Sequence, residues 1–580
     1  MLKLLKYAKP YIWMILALAI LTYVQVIANL KLPDYTAKII DDGVIAEQIS
    51  AIYSNGGMML LVSLLGGLAS VGVGYLAARI ATGFARDIRL KAFKNVESFS
   101  ASEFNTFSTA SLITRSTNDV QQVQMVMVML LRMALMAPFM AVGALQNAIN
   151  SAPELSWIIA VGVGAVIAMV VFLFSLALPK FKLLQKMVDR LNLVTRENLT
   201  GLRVVRAFNR ERTEEKKFDA ANTDLMNLNL FVNRLMVLMQ PFMMLVMNLS
   251  LVAIVWFGAQ QISTETVAIG NMLAFMQYAI QAIMSFLMFS IIFIMVPRAA
   301  VSAGRINEVI EAQSSIRNPA NPKKLAPKGQ GRVEFREVTY TYPGAENPVL
   351  SGISFVAEPG QTTAFIGSTG SGKTTLINLI PRFFDVSAGQ ILLDGVDIRD
   401  LKLSDLYSQI GYVPQKGVLF SGTVKSNVTY GDKKASDSTI KKATQIAQAS
   451  DFIAKLDKGL DGDVSQGGAN LSGGQKQRLS IARALAIQPK LYIFDDSFSA
   501  LDFKTDAALR KALKAETKNK PVLMVGQRIG SIMDADKIIV VDEGKIVGEG
   551  THKELLKNSD VYREIAKSQL SDEELKGVAK

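Results

Sequence analysis

The fold of the second half of the chain is decided by the stretch Gly367-Ser368-Thr369-Gly370-Ser371-Gly372-Lys373-Thr374-Thr375. An apolar run at 362–366 precedes it, and a helical run at 376–380 follows it. Glycines between a strand and a helix let backbone N–H groups close around phosphate oxygens, and the start of the helix adds its positive dipole end. In such a loop Lys373 would neutralise phosphate charge, and the Thr374 hydroxyl would ligate Mg²⁺. The stretch therefore predicts a site for ATP and Mg²⁺ in an α/β domain.

Two further motifs follow in the same domain. The apolar run 491–495 ends in Asp495, and a carboxylate at the end of a strand is well placed to hold Mg²⁺ near phosphates. The turn Leu471-Ser472-Gly473-Gly474-Gln475 opens a helical run and predicts a second anion site. One domain needs only one γ-phosphate site. The second turn therefore indicates contact with a nucleotide that is bound by another copy of the domain, in a head-to-tail dimer with the nucleotide between the two copies.

The first half of the chain has the pattern of a membrane domain. Stretches without Asp, Glu, Lys or Arg that are long enough to span a bilayer as helices, which takes roughly 20 apolar residues, lie at 10–30, 48–78, 133–153, 155–179, 235–264 and 266–297. The segments 79–132 and 180–234 are rich in Lys and Arg, which predicts that both long loops and both termini are cytoplasmic. Helical periodicity at 83–97 and 181–200 predicts that membrane helices continue into those loops.

Composition narrows the remaining choices. The chain is 50% hydrophobic and 19% charged, which excludes a disordered protein. The net charge of +13 is explained by membrane topology and needs no nucleic-acid partner. There is no cysteine, which excludes disulfides and thiolate metal sites, and the single histidine, His552, is expected at the surface. The polar, proline-containing segment 313–330 predicts a linker, which gives a membrane domain at 1–312 and a nucleotide-binding domain at 331–580.

With these motifs the chain resembles a half-transporter of the ATP-binding-cassette (ABC) exporter family. The Leu-Ser-Gly-Gly-Gln motif at 471–475 is highly specific to that family, and the resemblance covers essentially the whole chain. It implies an α-helical transmembrane domain with six spans, followed by an α/β P-loop nucleotide-binding domain, in a bacterial plasma membrane. It also implies that the regions 112–119 and 197–208 couple the membrane helices to the ATPase domains.

The resemblance assigns roles by position. Tyr342 matches the aromatic residue that stacks on adenine, Gln415 matches the glutamine that senses Mg²⁺ and the attacking water, and 499–502 matches a loop that communicates across the dimer. The residues implied in binding ATP are Tyr342, Gly367, Ser368, Thr369, Gly370, Ser371, Gly372, Lys373, Thr374, Thr375, Gln415, Asp495, Ser472, Gly473, Gly474 and Gln475. Those implied in holding Mg²⁺ are Thr374, Gln415 and Asp495.

Two positions depart from the family, and both belong to the implied catalytic set of Asp496, Gln527 and Gln415. The family places a glutamate where this chain has Asp496, whose stem is one methylene shorter, and a histidine where it has Gln527. Misplacing a catalytic group by ~1 Å costs on the order of a hundredfold in rate. Binding residues are thus kept while both hydrolytic residues are changed, which is similar to the degenerate-site subunit of heterodimeric bacterial exporters. Tolerated drift in a working homodimer is the alternative.

The leading hypothesis is therefore ATP-driven export of hydrophobic or amphiphilic compounds, as in multidrug efflux, together with a second half-transporter. A symmetric homodimeric lipid or peptide exporter is the second hypothesis. A regulatory subunit gated by ATP, without productive turnover, is the third. The six predicted spans exclude a soluble cassette protein, and the union of membrane and ATPase parts in one chain disfavours an importer.

Overall fold

The chain folds into two compact units. The computed structural model describes residues 2–327 and 329–570, apart from a few side chains within the long helices. The first unit comprises the residues up to Glu97 together with Thr109–Ala312, and the second comprises Ser98–Ser108 together with the residues from Gln313 onward. The membrane domain expected at 1–312 therefore differs by one segment, because Ser98–Ser108 belongs to the second unit.

That segment is held by hydrogen bonds to the start of the second unit. The Ser100 and Ser315 hydroxyls lie 2.9 Å apart, and the Ser315 N–H donates to Glu103 Oε1 over 3.2 Å. Ser100 also caps the short helix that follows it, with Glu103 completing a capping box. One glutamate thus fixes both the start of the helix and its attachment.

Long helices make up the first unit. Its helices, and the short one in Ser98–Ser108, are α1 (Ile12–Lys38), α2 (Ile49–Val96), α3 (Ala101–Phe107), α4 (Thr109–Ser116), α5 (Asn118–Met129), α6 (Leu135–Ser151), α7 (Ser156–Ala207), α8 (Glu211–Val237), α9 (Met239–Ser263) and α10 (Ile269–Glu311). A 3₁₀ helix at Leu2–Tyr11 precedes α1, and π-helical turns lie at Ile39–Ile45 and Leu130–Ala134.

Five helical stretches of the described residues are long and apolar enough to cross a membrane. They are Lys3–Ile45, Ile49–Val96, Thr109–Ser151, Pro153–Ala177 and Glu211–Ser263. The first five predicted windows fall on these stretches, and the sixth, 266–297, falls on α10, several of whose side chains lie outside the description. The predicted continuation beyond the apolar windows is confirmed for α2 and α7. The 52 residues of α7 correspond to about 78 Å of helix, against about 30 Å of membrane hydrocarbon.

Small side chains let the membrane helices approach closely. Ala144 and Ala148 of α6 and Ala274 of α10 are almost completely buried, and a Cβ added at Gly66 would lie 3.0 Å from Ala28. Between helices in lipid such close backbone packing replaces the hydrophobic driving force that is absent there. A hydrogen bond also joins α10 to α1, because the hydroxyl of the buried Tyr278 donates to the Leu30 carbonyl over 2.9 Å.

The second unit is an α/β domain. Its strands are β1 (Val333–Tyr340), β2 (Leu350–Ala357), β3 (Thr362–Ile366), β4 (Ala388–Leu393), β5 (Val396–Asp397), β6 (Ile410–Val413), β7 (Gly422–Thr423), β8 (Asp463–Val464), β9 (Leu491–Asp495), β10 (Val522–Val525), β11 (Lys537–Asp542) and β12 (Lys545–Gly550). Its further helices are α11 (Lys373–Leu379), α12 (Leu403–Ser408), α13 (Val424–Val428), α14 (Asp437–Ile446), α15 (Ser450–Ile453), α16 (Gly473–Ala486), α17 (Phe503–Glu516), α18 (Ile529–Ile532), α19 (His552–Asn558) and α20 (Asp560–Lys567).

The central sheet brings the functional loops to one edge. Its strand order is β12-β11-β3-β10-β9-β6, with only β12 antiparallel to its neighbour. β9 and β10 are buried along their whole length, which is why they read as continuous apolar runs. Because the strands are parallel, the loops after β3, β9 and β10 meet at their carboxyl ends. A smaller antiparallel sheet has the order β2-β1-β4-β5.

The segment predicted as a linker, 313–330, runs along the second unit. Asn318 Oδ1 accepts a hydrogen bond from the Leu403 N–H over 2.8 Å. The backbone of Lys323 forms an isolated parallel β-bridge with that of Leu401. Arg382 donates to the Arg317 carbonyl over 3.1 Å. The segment is irregular, as its composition predicts, but its backbone is hydrogen-bonded to the domain that follows it.

The prediction that His552 lies at the surface is wrong. Its side chain is only 5% exposed, and its Nδ1 lies 2.6 Å from the hydroxyl of the fully buried Tyr562. The two rings meet edge to face, which joins α19 to α20. Nε2 is buried without a hydrogen-bond partner among the described residues. Burial accordingly lowers the pKa of His552.

This burial predicts an acid sensitivity with a defined sign. Because the folded chain disfavours the charged imidazole, the unfolded chain takes up the proton first, and stability falls as pH drops below about 6.5. We expect the melting temperature of the full-length chain to drop between about pH 7.5 and about pH 5.5, and to drop less in His552→Asn. An equal drop in both proteins, measured by thermal unfolding, would contradict the assignment.

Candidate nucleotide-binding site

The loop after β3 closes tightly on its neighbours and on itself. A Cβ at Gly367 would lie 1.9 Å from the Val541 carbonyl oxygen, so no other residue fits without displacing backbone. Gly372 has φ +100° at the N-cap of α11, a conformation that glycine adopts without strain. The sequence thus supplies glycine where the loop passes another strand and where it turns into the helix. The backbone N–H groups at the start of α11 are left pointing into the loop.

Lys373 lies inside this loop. Its ammonium group donates to the Gly367 carbonyl over 3.0 Å and to the Ser368 carbonyl over 2.7 Å, and its side chain is 8% exposed. Burial lowers the pKa of Lys373, while the charges of Asp496 and Asp495 act to raise it. A buried cation with carbonyl partners at the start of a helix is suited to phosphate oxygens.

Thr374 and Asp495 together fit a magnesium ion. The Thr374 hydroxyl donates to Asp495 Oδ1 over 3.0 Å, and Asp495 is 3% exposed. Burial raises the pKa of Asp495, so an adjacent cation would favour its charged form. Hydroxyl and carboxylate oxygens are ligands that Mg²⁺ accepts, usually with waters and substrate phosphates completing its shell. Within the described residues no group of three or more acids or histidines could hold a metal alone.

Asp496 lies beside Gln415. Gln415 Nε2 donates to Asp496 Oδ2 over 3.3 Å, and the Asp496 side chain is 7% exposed. Asp496 has φ +45°, and its N–H donates to the Val525 carbonyl of the neighbouring strand over 3.1 Å. Burial raises the pKa of Asp496. The carboxylate is thus pinned by its own backbone and by Gln415.

Lys373, Thr374, Gln415 and Asp496 line one cavity of about 490 Å³, whereas Asp495 and Ser371 are not among the residues that line it. The residues lining it are Val349, Gly367, Ser368, Thr369, Gly370, Gly372, Lys373, Thr374, Thr375, Gln415, Asp496, Val525, Gln527, Ile565, Ser568 and Gln569. The structure therefore brings together most of the residues assigned from sequence, including Gln527, which is exposed. The three residues from the C-terminal helix and the turn after it were not anticipated, because no local motif marks them.

Tyr342 lies next to this cavity without lining it. Its hydroxyl is 3.0 Å from Thr375 Oγ1, and its ring meets Tyr340 and Phe384 edge to face at 4.9 and 5.5 Å between centroids. Stacking on adenine, the role implied by the resemblance, remains a prediction. The two aromatic neighbours that orient the ring had no assigned role.

Ser472 and Gln475 form the start of α16 and lie apart from the cavity. Ser472 Oγ accepts from the Gln475 N–H over 3.3 Å, and Gln475 Oε1 accepts from the Ser472 N–H over 2.9 Å. This capping box fixes the turn, and a Cβ at Gly473 would meet nothing within 4 Å. None of the four residues from Ser472 to Gln475 lines the cavity of Lys373. A turn built in this way is open to a group from outside its own chain.

The first implied coupling region is tied to α10. Arg115 donates to the Arg305 carbonyl over 2.8 Å and pairs with Glu308. The buried Asp119 accepts from the Ser302 hydroxyl over 2.9 Å and pairs with Arg305. These residues therefore join α4 and α5 to α10 within the first unit.

The chain belongs to the ABC transporter family. The family model of the ABC transporter transmembrane region matches residues 15–286, and that of the ABC transporter domain matches residues 350–499. An uncharacterised ABC transporter ATP-binding protein of Mycobacterium tuberculosis is 42% identical over 97% of both chains. The protein is an exporter half-transporter in which an ATPase domain drives transport across a membrane.

Two further relatives carry functional names. An ATP-dependent lipid A-core flippase of Syntrophus aciditrophicus is 34% identical over 71% of this chain and 69% of its own. A Staphylococcus aureus protein, provisionally named as a multidrug export ATP-binding/permease protein, is 35% identical over 64% of each chain. The fold matches that of a bacterial Atm1-family ABC exporter with ATP bound, with a TM-score of 0.80, 22% identity and 97% and 99% of the two chains covered.

The geometry of the loop predicts a steric requirement at Gly367. In Gly367→Ala the new methyl group would collide with the Val541 carbonyl, so the loop must move and its phosphate-facing N–H groups with it. We expect ATP affinity to fall by about tenfold or more, measured by titration calorimetry on the purified full-length chain. The control is Gly530→Ala, where an added Cβ meets nothing within 4 Å. Equal affinity in the two variants would contradict the steric argument.

Proposed function

We propose that the chain is one subunit of a heterodimeric exporter in a bacterial plasma membrane, with both termini in the cytoplasm. It exports hydrophobic or amphiphilic compounds, drugs among them. Its own site binds ATP and Mg²⁺ but hydrolyses slowly, and its Ser472–Gln475 turn completes the active site of the partner. The orientation is supported by the Lys and Arg content of the segments 79–132 and 180–234.

The observation that carries the proposal is the position of Asp496. Its carboxylate accepts a hydrogen bond from Gln415 at the wall of the cavity. The aspartate side chain that carries this carboxylate is one methylene shorter than that of glutamate. A base must come within hydrogen-bonding reach of the water it orients, and a shortfall of ~1 Å costs on the order of a hundredfold. The buried position, the positive φ and the hydrogen bond of the Asp496 N–H to Val525 leave little freedom to recover that distance.

The second altered position acts in the same direction. Gln527 lines the cavity at the sequence position where the family has a histidine. An amide donates hydrogen bonds but neither gains nor loses a proton near neutral pH, so Gln527 provides no acid or base. In contrast, Lys373, Thr374 and Asp495, the residues implied in binding, are of the types that the family uses. Binding without efficient turnover is the behaviour that this combination supports.

The substrate class is supported more broadly. One relative is named a lipid A-core flippase, and another is provisionally named for multidrug export. Lipids of this kind are amphiphilic. A homodimeric lipid exporter is the second candidate, and the named flippase favours it. The two candidates differ in one respect: a homodimer must hydrolyse ATP at the Asp496 site, whereas the heterodimer hydrolyses it at the partner's site.

The division of labour is tested with two changes in this one chain. The tagged full-length chain is purified from native membranes with any half-transporter that accompanies it, and ATP turnover is measured. We expect Asp496→Asn to remove little of the turnover and Gly473→Asp to reduce it by about tenfold or more, because a carboxylate at the start of α16 repels phosphate. The space at Gly473 and the helix dipole both tolerate the new side chain, so folding is preserved.

Gly473→Ala is the matched control for the added bulk and is expected to retain more turnover than Gly473→Asp. Equal and large losses from Asp496→Asn and Gly473→Asp would refute the heterodimer and favour the homodimer. Uptake of a fluorescent amphiphile by inverted membrane vesicles distinguishes both from a regulatory subunit, because that alternative predicts ATP binding without any flux.

A further inference from the structure

A glutamine at the end of the described chain grips the loop that carries Gln527. Gln569 Nε2 donates to the Gln527 carbonyl over 2.9 Å, and Gln569 Oε1 accepts from the Ile529 N–H over 2.8 Å. An amide side chain has a donor end and an acceptor end, and here each end is matched to a backbone group on one side of Arg528. A single side chain therefore fixes the loop at two points.

The loop is also held at its far end, because the Ser531 N–H donates to the Arg528 carbonyl over 3.1 Å and the Ile529 side chain is fully buried. It leaves the buried strand β10 at Val525, where the Gly526 N–H donates to the Phe365 carbonyl over 3.0 Å, and it then enters the four-residue helix α18. Gln527 and Arg528 are exposed. The side chain of Gln527 lines the nucleotide cavity, and the charge of Arg528 acts on Asp496. The two bonds from Gln569 thus bracket the segment that faces the nucleotide and the altered catalytic aspartate.

Gln569 itself stands on a firm base. Tyr562 and Ala566 of α20 are fully buried, and the Tyr562 hydroxyl lies against His552. The Gln569 N–H donates to the Ala566 carbonyl over 3.1 Å, which continues the helix by one turn. Ile565, one turn before Gln569, lines the same cavity. The packing of α19 and α20 therefore fixes the backbone next to Gln569, whose side chain is itself exposed.

We propose that Gln569 is a positioning residue of the nucleotide site, which holds Gln527 at the cavity by fixing the backbone on both sides of Arg528. Gln569 also lies in the wall of the cavity, but this role acts through the loop. α20 is thereby connected to Gln527 at the cavity. All these contacts lie within one chain, so they are present whether the partner is a second copy or a different subunit.

Hydrogen exchange and nucleotide affinity test it on the full-length chain in detergent. In Gln569→Ala we expect the Ile529 amide to exchange about tenfold faster or more, because its acceptor is lost, while β9 keeps its protection. The affinity for Mg-ATP is expected to weaken by about threefold to tenfold, the loss of one or two neutral hydrogen bonds. The melting temperature serves to separate this effect from a general loss of stability.

Lys567→Ala, at an exposed side chain ending α20, is the matched control and should leave exchange and affinity unchanged. Gln569→Glu separates the two contacts, since a carboxylate still accepts from the Ile529 N–H but cannot donate to the Gln527 carbonyl. We expect it to keep the Ile529 amide protected, which assigns the loss of protection in Gln569→Ala to the missing acceptor. Because the added carboxylate lies at the cavity wall and repels phosphate, the affinity comparison is made with Gln569→Ala alone. The proposal is overturned if Gln569→Ala leaves Ile529 exchange unchanged, or if it binds Mg-ATP as tightly as the Lys567→Ala control.

Discussion

Three charged groups are buried at the carboxyl edge of the central sheet, and the site depends on how they are held. Lys373, Asp495 and Asp496 are each less than a tenth exposed. Removing a charge from water costs several kcal/mol unless partners compensate. The carbonyls of the glycine-rich loop, the Thr374 hydroxyl and the Gln415 amide supply those partners, and all of them come from loops that parallel strands bring to one edge. Burial disfavours the charged forms of Lys373 and Asp495, and a metal ion with phosphate bound beside them would favour those charges again.

Local sequence patterns predict most of the residues that line this cavity. The glycine-rich loop, the strand ending in Asp495 and the signature turn are contiguous in sequence, and each motif carries its own structural context. The two changed positions, Asp496 and Gln527, were likewise evident, because they stand beside such motifs. The long apolar windows also located the membrane helices, since a bilayer imposes a length that composition reveals.

What the sequence did not reveal depends on contacts between distant segments. The burial of His552 follows from the packing of Tyr562 against it, and nothing in the run 551–558 distinguishes a buried histidine from a solvated one. The attachment of Ser98–Ser108 depends on Ser315, and the grip of Gln569 depends on a loop forty residues earlier. Such pairs leave neither a hydrophobic periodicity nor a local motif in the sequence, so a single sequence does not predict them.

The length of α7 has a mechanical consequence. A continuous helix of 52 residues behaves as a stiff rod, so a tilt of about 10° about one end displaces the other by about 13 Å. Such a rod has one compliant point, Pro179, where the ring removes a backbone hydrogen bond. α10 carries a proline of its own, Pro297, within its 43 residues. If bending is concentrated at Pro179 and Pro297, the helical segments on either side rotate as rigid bodies. A small change of angle at the proline then moves the far end of the segment by several ångströms.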